Sequence, residues 1–189
     1  MKAIIATVLF LGLAAVAPPA WSAPAPGWAV DPSSKLGFRG VIGGEAFNGT
    51  FRRWSAQIAF DPKNLAGSRA VVSVDVASAV TGDADRDTAL PSADWFDAAK
   101  FPKATFATRS FRDLGGGKYQ ALGDLTLRGV SRPVALDFTL QISGDKAVMS
   151  GQTVLDRTAF GVGQGQWKAG DTLKPQVSVV VALTARQAR

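Results

Sequence analysis

From Val134 to Ser143 the chain alternates without a break. Val134, Leu136, Phe138, Leu140 and Ile142 fall on one side, and Ala135, Asp137, Thr139, Gln141 and Ser143 on the other. That period of two belongs to a half-buried strand and to no helix. The same beat returns with Val177, Val179, Val181 and Leu183, and with Tyr119, Ala121, Gly123, Leu125 and Leu127. Shorter runs set Ala56, Ile58 and Phe60 on one face, then Val72, Val74 and Val76, then Phe47, Gly49 and Phe51, then Leu36 and Phe38. Turn signals stand between them: Gly43-Gly44, Asp61-Pro62-Lys63-Asn64, Gly115-Gly116-Gly117, Gly129 to Pro133, and Gly144-Asp145. About eight strands at this spacing predict an all-β antiparallel sandwich or barrel. A barrel of that size holds packed side chains or one small ligand. Glycines inside the strands (Gly37, Gly49, Gly123 and Gly151) fit two readings, bends at barrel corners or backbone making room for a guest. The acids agree with a β protein: Glu45 is the only Glu, and Asp suits turns and caps better than helix interiors.

The first residues stand apart. Lys2 precedes an uncharged apolar run from Ala3 to Ala17, and Ala20-Trp21-Ser22 supplies small residues where a signal peptidase cuts. We read residues 1–22 as a secretory signal peptide and residues 23–189 as one domain. Export places the protein outside the cytoplasm, so the formal charge of +6 points to a solvated basic surface or to anionic headgroups, not to nucleic acid.

The chain has no His and no Cys. This removes the Ser-His-Asp triad, the cysteine nucleophile and ordinary zinc, copper or haem ligation. No nucleophile stands beside a base, so the sequence offers no catalytic residues, no metal site and no cofactor chemistry. Asp83, Asp85, Asp87 and Asp94 have calcium-loop spacing, but Thr88 replaces the turn glycine. They read better as acids at a helix start. Gly161, Gly163 and Gly165 suggest a phosphate cradle, yet no helix pattern follows them.

Two segments break the alternation. Between Arg86 and Phe106 the aromatics Trp95, Phe96, Phe101 and Phe106 crowd together, bounded by Pro91 and Pro102. Thr81 is placed to cap a short helix running to Leu90. The second segment, Arg157 to Gly170, is Gly-rich and reads as a mobile loop with Phe160 and Trp167 as anchors. The aromatics admit two readings, ordinary core or the walls of an apolar tunnel. Arg86 beside Asp87 likewise reads either as a structural ion pair or as a grip on a polar or pyrophosphate headgroup.

Motifs in order carry a resemblance. They are Trp28-Ala29-Val30-Asp31, Gly49-Thr50-Phe51, and Arg86-Asp87 with Leu90, Ser92-Ala93-Asp94, Phe96, Phe101-Pro102, Ala104 and Phe106. Gly123 to Val130, Arg132-Pro133-Val134, and Arg157 with Phe160 and Gly161 complete the set. In these the chain resembles the YceI-like family of bacterial periplasmic polyisoprenoid-binding proteins. The resemblance implies a lipocalin-like antiparallel barrel of about eight strands, with a short helical insert near residues 82–100 against the pore. It implies a periplasmic carrier of a polyisoprenoid or similar long-chain lipid, as monomer or homodimer. Phe38, Phe51, Phe60, Trp95, Phe96, Phe101, Phe106 and Phe160 become pore-lining candidates, and Arg86 a headgroup candidate. Many members carry His where Ser33 and Ala89 stand here. That departure resembles the branch associated with membrane cytochromes of the b561 type, which brings an isoprenoid quinone and a cytochrome partner into consideration.

Overall fold

The structure, a computed structural model, describes residues 24–188. The expected signal segment, residues 1–22, lies outside them. Among the described residues, eleven strands form a single antiparallel sheet: β1 (Gly27–Val30), β2 (Lys35–Ile42), β3 (Glu45–Phe51), β4 (Trp54–Ala59), β5 (Arg69–Asp75), β6 (Ala79–Val80), β7 (Lys103–Gly115), β8 (Lys118–Leu127), β9 (Val130–Ser143), β10 (Lys146–Asp156) and β11 (Gln176–Gln187). The ring β1–β4–β5–β7–β8–β9–β10–β11 closes where β1 pairs back with β11, Val30 opposite Ala185. This is the expected barrel of eight strands, closed through the β1–β11 and β1–β4 pairings.

The remaining strands are continuations. β1 and β2 are two halves of one path along β11, interrupted at Asp31 to Ser34. β3 and β4 are likewise one path, interrupted at Arg52-Arg53. Phe51 and Trp54 both line the interior, so two exposed arginines stand between inward residues and shift the alternation by one.

The inward face of β9 carries the five apolar residues that the sequence pattern set together, and its outward face carries the polar set. Two glycines admit aromatic rings to the interior. A Cβ on Gly49 would lie 2.2 Å from the ring of Phe38, and one on Gly123 would lie 2.8 Å from the ring of Phe106.

The helical part of the insert is α1 (Ala84–Ala89), followed by tight turns to Lys100. Its cap is Asp83, not Thr81: the Asp83 side chain accepts from the Arg86 N–H at 2.9 Å. Thr81 is engaged elsewhere, donating its N–H and hydroxyl to Asp87 at 2.6 and 2.8 Å. Both residues are competent caps, and the Thr81–Asp87 bonds decide between them.

The Gly-rich segment is organised by one buried side chain. Arg157, 5% exposed, donates to five carbonyls. Nε reaches Lys174, Nη1 reaches Val162 and Gly163, and Nη2 reaches Trp167 and Leu173, at 2.6 to 3.3 Å. Two short 3-10 turns, Arg157–Phe160 and Gly165–Trp167, are wound around it. The loop is therefore built on Arg157, which the sequence reading placed among the family motifs while giving the anchoring role to the two aromatics.

Candidate functional site

Insert and late loop meet over one end of the barrel. Asp94 accepts from the Gly163 and Gln164 N–H groups at 2.8 and 2.7 Å through its backbone carbonyl. Arg128 bridges the two segments, donating to Gly161 O at 2.6 Å and to Ala93 O at 2.5 Å. Trp95 packs on Trp167 with ring centroids 5.6 Å apart. Beneath this cap Phe38, Val76, Leu90, Phe96 and Phe160 form a buried cluster. A second cluster at the far end gathers Trp28, Phe60, Tyr119 and Phe138. There Phe60 meets Phe111 and Tyr119 edge-on at 5.1 and 5.5 Å.

Between the clusters the barrel is hollow. A cavity of about 240 Å³ runs from Val76 and Phe96 under the cap to Ala147 and Ile142 at the far rim. One water needs only about 10–15 Å³ on a comparable measure, so this is not a packing defect. Inward residues that a filled barrel would bury, among them Leu136, Met149, Leu155, Val179, Val181 and Leu183, remain only half-buried. Among the described residues no charged side chain lines the space, and its three threonines present no polar surface to it. Thr108 has turned its hydroxyl onto the Ala70 backbone, accepting from N at 2.8 Å and donating to O at 3.2 Å. Such a wall can exclude water and hold hydrocarbon; it has nothing with which to move a proton.

The named aromatics divide by position. Phe51, Phe60, Phe96 and Phe106 lie on the cavity wall. Phe38 and Phe160 sit in the cluster beneath the cap, Phe38 against Phe51 at 5.3 Å. Trp95 is in the cap, and the Phe101 ring lies where a Cβ on Gly129 would touch it at 2.6 Å. Arg86 pairs with Asp83 at 3.4 Å, donates to Thr81 at 3.3 Å and stacks over Phe47 at 5.0 Å. These contacts tie α1 to the β2–β3 hairpin. The pore-lining candidates left out Leu36, Trp54 and most of the aliphatic wall. Their signal was the alternation itself, which marks an inward face but does not tell a hollow barrel from a filled one.

Among the described residues, the perturbed titrations lie outside the cavity. A hydrogen bond from Ser33 holds Asp31 below its ordinary value, and Arg53 does the same for Asp75, Thr81 for Asp87 and Thr158 for Asp156. Burial, with Asp113 nearby, pushes the Tyr119 phenol up. A depressed carboxylate pKa stabilises the fold above its unfolded value and loses that contribution as pH falls through the folded one. With an ordinary value of 3.8 and no His in the chain, the urea midpoint is expected to stay flat from about pH 5 to 7 and to fall below about pH 4. A midpoint sloping steadily across pH 5 to 7 would contradict this assignment.

The profile of the YceI-like domain matches residues 28–185. A UPF0312 protein of Vibrio cholerae serotype O1 is 31% identical over 166 residues, spanning 82% of this chain and 88% of its own. Among solved structures, Burkholderia cenocepacia BcnA matches with a TM-score of 0.79 and 33% identity, over 82% of this chain and 98% of that one. A polyisoprenoid binding domain from Saccharophagus degradans, implicated in plant cell wall breakdown, shares the fold. Its TM-score is 0.67 at 16% identity, over 86% of this chain and 99% of that one.

Proposed function

The chain belongs to the YceI-like domain family, and on that footing we propose that it carries a polyisoprenoid, or a similar long-chain apolar lipid, inside the barrel and performs no catalysis. It works in the periplasm, exported on its first residues. The observation that supports this reading is the cavity, apolar from the cap to the far rim. Each methylene moved from water into such a space contributes about 0.8 kcal/mol, so a few isoprene units suffice for firm binding. The Saccharophagus degradans domain, described as polyisoprenoid-binding, has the same fold. A wall without polar atoms also sets what enters. A pyrophosphate, or the ring of a quinone with its carbonyls, finds no partner inside, and burying it there would cost several kcal/mol. The ligand is held by its tail.

The test is extraction of protein purified from its native host with organic solvent, followed by mass spectrometry. A prenyl lipid near equimolar with the protein is the expected result. No co-extracted prenyl lipid, together with no binding of an added polyprenyl alcohol, would sink the reading.

A further inference from the structure

The barrel wall has a seam. β1 pairs with β4 at Gly27 and Trp28, opposite Ala59 and Ile58, and there the pairing stops. It resumes on the same two paths only where Gly37 of β2 meets Thr50 of β3. Residues 29–35 on one lip and 52–57 on the other form no strand pairing with each other among the described residues. At about 3.3 Å per residue, this leaves roughly 20 Å of wall without ladder pairing across it.

Each lip is fastened on its other side. On the first, Asp31 N–H donates to Thr184 O at 2.8 Å, and the Ser34 hydroxyl accepts from Thr184 N–H at 3.0 Å. Asp31 accepts from Ser33 N–H at 2.8 Å, which holds the turn, and Pro32 has no N–H to offer. On the second lip, the Arg52 and Arg53 N–H groups go to Ser78, to its O at 3.1 Å and its Oγ at 3.0 Å, and Arg53 O accepts from Asp75 N–H at 3.0 Å. Ser78 is buried. Asp31, Ser34, Arg52 and Arg53 thus bond away from the seam, and what faces the interior there is Leu36, Phe51, Trp54 and Ala56.

The ends of the barrel offer less. One is covered by the cap, where Arg128, the Asp94 carbonyl and Trp95 hold two segments together. The other is narrowed by Phe60, Phe111, Tyr119 and Phe138. A long chain entering by either end has first to part the cap or the ring cluster, whereas sliding in sideways disturbs neither and leaves a polar head in water. We propose that the seam between the β1–β2 path and the β3–β4 path is a lateral portal, through which a long apolar chain passes into the barrel.

This rests on the lipid-binding reading, and the experiment separates the two. The chain has no Cys, so a disulfide placed across the seam is the only one present. Lys35 and Arg52 are exposed on opposite lips and form no ion pair among the described residues. The K35C/R52C protein is stapled by oxidation or, where the thiols stand too far apart, by a bismaleimide. The control is S150C/A182C, at exposed partners in the bonded wall. Uptake and release of a fluorescent polyprenyl alcohol are then followed by stopped flow. The seam staple is expected to slow both at least tenfold with the equilibrium affinity kept, reductant to restore the disulfide form, and the control staple to change neither. Equal rates for stapled and reduced protein overturn the portal alone, as does equal slowing by the control. A reduced protein that loads no probe overturns the lipid reading and takes the portal with it.

Discussion

Replacement of Arg157 by methionine is expected to lower stability by about 3–5 kcal/mol, a loss at the top of the range for single substitutions. Five carbonyls depend on this one guanidinium. Methionine fills similar space but donates nothing, and each carbonyl left buried without a partner costs about 1–3 kcal/mol unless water reaches it. The loop would open to water to recover part of this, so the sum over five is not realised. For a domain of this size the melting temperature should drop on the order of 10 °C. Lysine is an informative second variant. It keeps the charge but has three donors in place of five, so at least two carbonyls stay orphaned and the loss should be intermediate. Urea denaturation reads the size of the loss. Hydrogen exchange reads its location, which should centre on residues 157–175 and on the insert they clasp. Two variants as stable as the parent would show that the loop needs no internal support.

The role of Arg157 shows where sequence reading stops. Its partners are backbone carbonyls of Val162, Gly163, Trp167, Leu173 and Lys174. A backbone acceptor carries no side-chain signature, so nothing in the sequence shows that five of them converge. β9 is the opposite case. Its alternation from Val134 to Ile142 is imposed by burial of one face, which leaves its mark in residue type. Arg86 lies between these extremes. Its ion pair is with Asp83 and not the adjacent Asp87, and the Phe47 ring beneath it comes from a distant hairpin, so the alternation of residue types leaves both a structural and a headgroup role open. The seam was half legible. Pro32 and the paired Arg52-Arg53 mark breaks in two strands, yet that the breaks lie side by side follows only from pairing, which side-chain periodicity does not encode.

The second large effect concerns the hollow itself. Val181 projects inward from the middle of β11, between Gly151 on β10 and Leu36 on β2, and remains only half-buried. Val181→Trp should lower affinity for a polyprenyl chain at least tenfold, about 1.4 kcal/mol or more, while the urea midpoint holds or rises. The two readouts together carry the argument. In a close-packed core an added indole forces neighbours off their rotamers and costs about 1–3 kcal/mol. In an empty bore it meets no atoms, buries its own apolar surface and takes the place of the ligand. Lost binding with kept stability therefore identifies the bore as the site of the hydrocarbon tail. Kept binding with kept stability would place the lipid elsewhere on the molecule. Loss of both would mean that the inward face of β11 is ordinary core and that the cavity closes in solution.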